Sequence, residues 1–156
     1  MKNFPLFLLT VFICFIGCKN ENKEAESITD DQESNKLSLM GTWERISYYN
    51  YQDGKVSDTF VTTENNRHIK MYSSNKVMWC RNISADSTEW FGFGSYTSND
   101  TILTEILDYG SKAMNKFIEQ NPTFVFELKL EKDKFSQIQI DEEGNPLFAE
   151  NYIRIE

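Results

Sequence analysis

From Trp43 onward the chain is written in a period of two. Phe124, Phe126, Leu128 and Leu130 alternate with Val125, Glu127, Lys129 and Glu131, and Ile138 and Ile140 alternate with Gln137, Gln139 and Asp141. Successive side chains on a strand point to opposite faces, so this pattern specifies strands with one buried face. Turn residues cut the series at fairly even intervals: Gln52-Asp53-Gly54-Lys55, Ser73-Ser74-Asn75, Ser98-Asn99-Asp100, Lys132-Asp133-Lys134 and Glu142-Glu143-Gly144-Asn145-Pro146. Strands separated by such short turns pair antiparallel.

The strands expected between the turns cover 44–51, 68–72, 76–83, 88–97, 101–109, two segments from Phe124 to Asp141, and 147–155. Residues 56–66 read as loop-like, with a short strand at 59–63, lying over one mouth of the fold. Met114, Phe117 and Ile118 recur at helical spacing over 111–120 before Asn121-Pro122 stops the helix. The count is about eight strands and one short helix, with no internal repeat, so 40–156 is one domain. An antiparallel series of this kind closes as a barrel or packs as a sandwich. The segment around Trp90, Gly92, Gly94 and Tyr96 favours the barrel, because glycines at alternate positions permit the sharp bends and close approach that small barrels need.

The residues before Met40 are of a different kind. Met1-Lys2-Asn3 gives a short positive start, and 4–16 is almost wholly apolar but shorter than the about 20 residues that span a bilayer as a helix. Residues 1–17 therefore read as a signal peptide. Phe15-Ile16-Gly17-Cys18 resembles the lipobox of bacterial lipoproteins, in which a small residue precedes a cysteine that is acylated and becomes the new N-terminus. The resemblance implies lipidation at Cys18, palmitate among the acyl chains, and a protein tethered to the membrane without spanning it. Lys19 is not the aspartate that retains some lipoproteins at the inner membrane, so the implied location is the cell envelope at the outer membrane, with leaflet open. Residues 18–39 are Glu-, Asp-, Asn-, Ser- and Lys-rich and read as a disordered linker.

The opening Gly41-Thr42-Trp43 and the closing Tyr152-Ile153-Arg154 resemble the two ends of a lipocalin barrel. The resemblance is to the lipocalin-like domains of bacterial lipoproteins over 40–156. It implies an all-β, up-and-down antiparallel barrel in which Gly41 makes the entry turn, Trp43 closes the floor and Arg154 covers the indole by a cation–π contact.

Little in the sequence points to catalysis. His68 is a lone histidine without a metal-ligating partner motif, and reads as an ordinary strand histidine. There is no nucleophile elbow, and Gly92-Phe93-Gly94 lacks the third glycine and following helix of a phosphate loop. Carboxylates are plentiful, and a pair such as Glu89 with Glu105 could face one another across neighbouring strands, but nothing in the sequence shows this and solvated strand faces account for most of these acids. With Cys14 removed and Cys18 acylated, Cys80 has no disulfide partner in one mature chain and reads as a small, partly buried strand residue. No metal or cofactor is expected. The net charge of −8, from 24 acidic and 16 basic residues, repels a phosphate backbone and argues against nucleic acid.

An eight-stranded barrel either fills its interior with side chains or holds one small ligand. The inward-facing candidates are Trp79, Trp90, Tyr96, Phe124, Phe126 and Ile138, with Arg81, Glu105 and Asn151 as polar contacts. Three functions are consistent with this: a non-enzymatic, lipid-anchored barrel that binds a small, partly apolar ligand or an envelope partner; a filled barrel acting only as a protein–protein interaction module; and an enzyme built on paired carboxylates. The first leads. Oligomeric state is not legible.

Overall fold

The computed structural model describes residues 37–85 and 87–156. The signal peptide expected at 1–17, the acylated Cys18 and the linker as far as residue 36 lie outside the described residues. Leu39, which the sequence assigns to the linker, is packed into the barrel at 2% exposure.

The described chain forms β1 (Gly41–Gln52), β2 (Lys55–Val61), β3 (Asn66–Tyr72), β4 (Lys76–Ile83), β5 (Trp90–Ser98), β6 (Ile102–Gly110), α1 (Lys112–Ile118), β7 (Thr123–Leu130), β8 (Lys134–Ile140) and β9 (Pro146–Arg154). Every strand pair is antiparallel, neighbours in sequence are mostly neighbours in space, and β1 pairs with β9 to close the sheet. The result is an eight-strand barrel of β1 and β3 to β9, as the alternation predicts, with β2 as an additional strand.

β1 explains that addition. Its first part, Gly41 to Glu44, pairs with β3, while Ser47 to Gln52 pairs on the same edge with β2. The two-residue turn Asp53-Gly54 has positive φ at both positions, 52° and 71°, which suits a tight hairpin. Residues 55–61 are thus a hairpin strand where the sequence suggested a loop with only a short strand at 59–63. All seven are exposed, so no buried face imprints a period of two, and the strand is specified by its hydrogen bonds to β1.

Inward-facing side chains fall into three layers. The floor is apolar: Trp43, Tyr72, Val77, Leu103, Leu128, Phe135 and Tyr152 are all buried. Phe135 stacks on Tyr152 with centroids 4.5 Å apart, and the Trp43 indole meets Phe135 edge-on at 4.9 Å. Each such side chain contributes about 1.5–3 kcal/mol by leaving water. Above the floor lies a layer of charged and amide groups, and above that an aromatic rim. β1 reaches all three because of a bulge: Arg45 pairs with Tyr152 and Ser47 with Asn151, leaving Ile46 as the extra residue. Trp43 and Arg45 face inward before it, and Tyr48 faces inward after it.

The helix stands beside the upper end of β5 and β6. Ser111 caps it, its Oγ accepting from Met114 N at 3.2 Å, and Asn115 Oδ1 accepts from Gly110 N at 2.7 Å. Met114 is its buried residue, while Phe117, half-exposed, lies 6.3 Å from the Trp90 ring. Cys80 is exposed, not partly buried, because it shares the outer face of β4 with Met78.

Candidate functional site

The barrel interior is not filled. A cavity of about 250 Å³ occupies its upper half. Its walls are Tyr48, Trp79, Trp90, Phe124, Phe126 and Phe148, Leu107 and Met114 complete the apolar lining, and Lys70, Glu105, Gln137 and Glu150 form its polar base. His68 and Arg81 stand directly opposite each other on β3 and β4, and both line it.

The aromatic wall depends on Gly92. In the β4–β5 register Trp79 lies opposite Gly92, and a Cβ there would sit 2.8 Å from the indole Nε1. A glycine lets the ring lie flat against the strand at the edge of the lumen.

The base is a closed set of charge-assisted hydrogen bonds. Lys70 Nζ, 2% exposed, donates to Glu105 Oε1 and to Gln137 Oε1, both at 2.7 Å. The Tyr72 hydroxyl donates to the same Glu105 oxygen. Gln137 Nε2 donates to Glu150 Oε2 at 2.7 Å, Tyr152 donates to that oxygen at 2.9 Å, and Arg45 Nη1 donates to Glu150 Oε1 at 2.9 Å. Burial is admissible here because each carboxylate has both a cation and a neutral donor. Burial alone would raise Glu150, but His68, Lys70 and Arg45 together outweigh it and hold the carboxyl well below its usual range. Burial first, and then the neighbouring carboxylates, push the Tyr72 and Tyr152 phenols well above theirs.

The rim is less complete. His68 is buried to 6% exposure, and neither ring nitrogen has a hydrogen-bond partner among the described residues. Its Nδ1 lies 3.4 Å from Glu150 Oε1, near enough for attraction without hydrogen-bonding geometry. Burial pushes its pKa down, against the pull of Glu150. Arg81 donates from Nε to Asn66 Oδ1 at 3.3 Å, and no carboxylate lies within ion-pair distance of it among the described residues. Burial and then the nearby Arg45 cation lower its pKa.

Of the residues expected inside, Trp79, Arg81, Trp90, Glu105, Phe124 and Phe126 converge on this cavity. Tyr96 faces inward but lower down, edge-on to Tyr72 at 4.8 Å with its hydroxyl on Ser73 O, outside the cavity. Ile138 and Asn151 stand on the other face. β8 sends Phe135 and Gln137 inward, so its neighbour Ile138 points outward, and Asn151 bonds Ser136 Oγ at 2.7 Å and Ser47 Oγ at 3.1 Å outside the lumen. Glu89 precedes β5 and is exposed, so it does not meet Glu105. His68, read as an ordinary strand histidine, lines the lumen. Lys70 and Glu150 went unremarked in the sequence, and Gln137 was set on the face opposite Ile138, although parity with Tyr72, Phe135 and Tyr152 marks all three as inward. Tyr48 carries no such signal, because the bulge at Ile46 reverses its parity.

At the floor, Trp43 is fully buried and its Nε1 donates to Leu39 O at 2.7 Å. The Arg154 guanidinium carbon lies 4.0 Å from the indole centroid. Gly41, at φ 128°, is where Arg154 passes: a Cβ would stand 2.6 Å from Arg154 Nη1. The three residues thus meet at the floor of the barrel.

No family model matches the chain, and no curated protein matches it. Among solved structures it is similar to an uncharacterized protein from Bacteroides eggerthii, with a TM-score of 0.50 and 15% identity, over 75% of this chain and 99% of the other. At that identity the likeness concerns the barrel fold alone.

Proposed function

We propose that this chain is a lipid-anchored, lipocalin-like protein of the cell envelope that binds a small, partly apolar molecule in the barrel lumen and catalyses no reaction. The observation that carries the reading is the 250 Å³ cavity itself, walled by aromatic rings over a polar base. An apolar cavity of about 150 Å³ accepts benzene, so this volume suits one or two fused rings with a polar substituent. A non-catalytic role is supported by the state of the two lumenal carboxylates. Glu105 and Glu150 each hold a cation and a phenol, and Glu150 is kept ionised, which suits a fixed scaffold better than proton transfer. The anchor rests on Gly17-Cys18 and the apolar segment before them, with the outer membrane as destination.

Native mass spectrometry of the full chain after mild extraction tests the carrier role: a co-purifying small molecule is expected, together with quenching of Trp79 and Trp90 by added apolar probes. A ligand-free spectrum with unaltered tryptophan emission overturns it. A second reading, an interaction module, is favoured by β2, whose Val56, Phe60 and Val61 are exposed on a strand paired only with β1. Crosslinking in membranes separates the two, since a module gives a stable protein adduct through β2 and a carrier gives none.

A further inference from the structure

The chemistry of the lumen narrows the ligand class, resting on the reading of the cavity as a binding site. Among the charged groups on or beside it, Arg45, Lys70 and Arg81 are cationic, while Glu105 and Glu150 are anionic. Arg45 and Lys70 each neutralise one carboxylate at 2.9 and 2.7 Å. Arg81 is left in excess, bonded among the described residues only to the neutral amide oxygen of Asn66. Facing it across the β3–β4 pair is His68, nine-tenths buried, with two ring nitrogens and no hydrogen-bond partner among the described residues. A neutral imidazole always presents one N–H, and a guanidinium presents five. The rim therefore holds surplus donors and one uncompensated positive charge. His68 is buried while Arg81 is part-exposed, so the cost of lying unpaired falls on the imidazole nitrogens, and an incoming acceptor relieves it.

The remaining walls are flat. His68 meets Trp79 with ring centroids 5.4 Å apart, and Tyr48 stacks on Phe148 at 5.4 Å and 19°. The cavity lies below the about 300–1,000 Å³ of pockets for drug-sized ligands, which is too small for a long acyl chain.

We infer that the lumen takes a compact organic carboxylate, its ring system lying among Trp79, Trp90 and Phe148 and its carboxylate held by Arg81 and His68. Arg81 supplies the charge and a forked pair of N–H groups, as carboxylate recognition favours, and His68 supplies the neutral donor. The base beneath, whose lysine and two carboxylates are already paired, fixes the depth to which the ring can descend.

The test uses the full-length chain in mild detergent, titrated by calorimetry and tryptophan fluorescence with 2-naphthoate, naphthalene-2-carboxamide and 2-naphthylmethylammonium, with detergent-only titrations subtracted. Naphthoate is expected to bind at least about tenfold more tightly than the carboxamide, as a charge-assisted hydrogen bond implies, and the ammonium more weakly than either. Arg81→Gln should remove most of the preference for naphthoate over the carboxamide, weakening naphthoate by a much larger factor than the carboxamide. Arg81→Lys should keep a preference for the anion, and His68→Gln should reduce it by a smaller factor. If the carboxamide or the ammonium binds as tightly as naphthoate and quenches tryptophan, the cavity is a binding site and the anionic head is wrong. If none of the three binds or perturbs tryptophan emission, the ligand-binding reading fails, and this inference with it.

Discussion

The guanidinium of Arg154 lies over the indole of Trp43, its central carbon 4.0 Å from the ring centroid, and thereby ties the last strand to the first. The same side chain donates to Lys132 O at 3.0 Å, to Ser38 O at 2.7 Å and to Met40 O. One residue thus seals the floor and holds the segment that enters it. Replacing Arg154 with alanine is expected to lower stability by about 2–4 kcal/mol, the sum of a desolvated cation–π contact and charged hydrogen bonds. Arg154→Lys should recover only part, since an ammonium cannot both cover the ring and reach three carbonyls. Urea midpoints with emission from Trp43 check this; an unchanged midpoint contradicts it.

Gly92 and Gly94 should respond differently to the same change. A Cβ at Gly94 would overlap the backbone carbonyl oxygen of Ile106 and stand 2.7 Å from Leu107 Cα, so Gly94→Ala must move β6. A loss of several kcal/mol or failure to fold is expected. At Gly92 the obstacle is the Trp79 indole, a side chain on the cavity wall that can shift. Gly92→Ala is expected to fold with about 1–2 kcal/mol lost, a changed Trp79 emission and weaker uptake of apolar probes. Circular dichroism and fluorescence of the two variants make the comparison.

Removing one partner of the buried base should cost more than removing two. Lys70→Met leaves Glu105 charged and buried with only Tyr72 as donor, a change expected to cost about 3–5 kcal/mol. Adding Glu105→Leu removes the stranded charge and should restore much of that loss. A double-mutant cycle in urea reads the coupling, and simple additivity of the two single changes would show that the pair is not coupled.

Stability should fall on acidification in two stages. His68, packed among Glu150, Lys70 and Arg45 and facing Arg81, is held below its ordinary value of 6.5 mainly by burial. Below pH 6.5 the unfolded chain binds a proton that the folded chain resists, so stability declines as pH falls from there. Glu150 is held well below 4.5, its own burial being outweighed by His68, Lys70 and Arg45. Its contribution is complete above pH 4.5 and is lost as pH falls further. Urea midpoints from pH 8 to pH 3 are expected to start falling near 6.5 and fall more steeply below 4.5, and His68→Gln should abolish the first decline and weaken the second, because His68 is among the groups that hold Glu150 down.

The alternation of the later strands specified where β4 to β9 lie, because a buried face leaves a period of two wherever it exists. β2 left no such trace, being exposed on both faces. The same rule limited the site. Trp79, Trp90, Phe124 and Phe126 were legible as inward because they are apolar and in phase, whereas Ile138 is apolar, buried and out of phase with Gln137, so its chemistry suggested a face that its parity denies.

What the sequence determined by itself is local: the turns, the strands with one buried face, the capped helix, and the Gly41, Trp43 and Arg154 set at the two ends of the barrel. The tertiary structure alone decided the cavity. Lys70, Glu105, Gln137 and Glu150 come from four different strands, and only the register around a closed barrel brings their charges within 3 Å of a partner. One extra residue at Ile46 turns Tyr48 inward, and one missing Cβ at Gly92 lets an indole line the lumen. Register and bulges are properties of paired strands far apart in the chain, and no single strand records them.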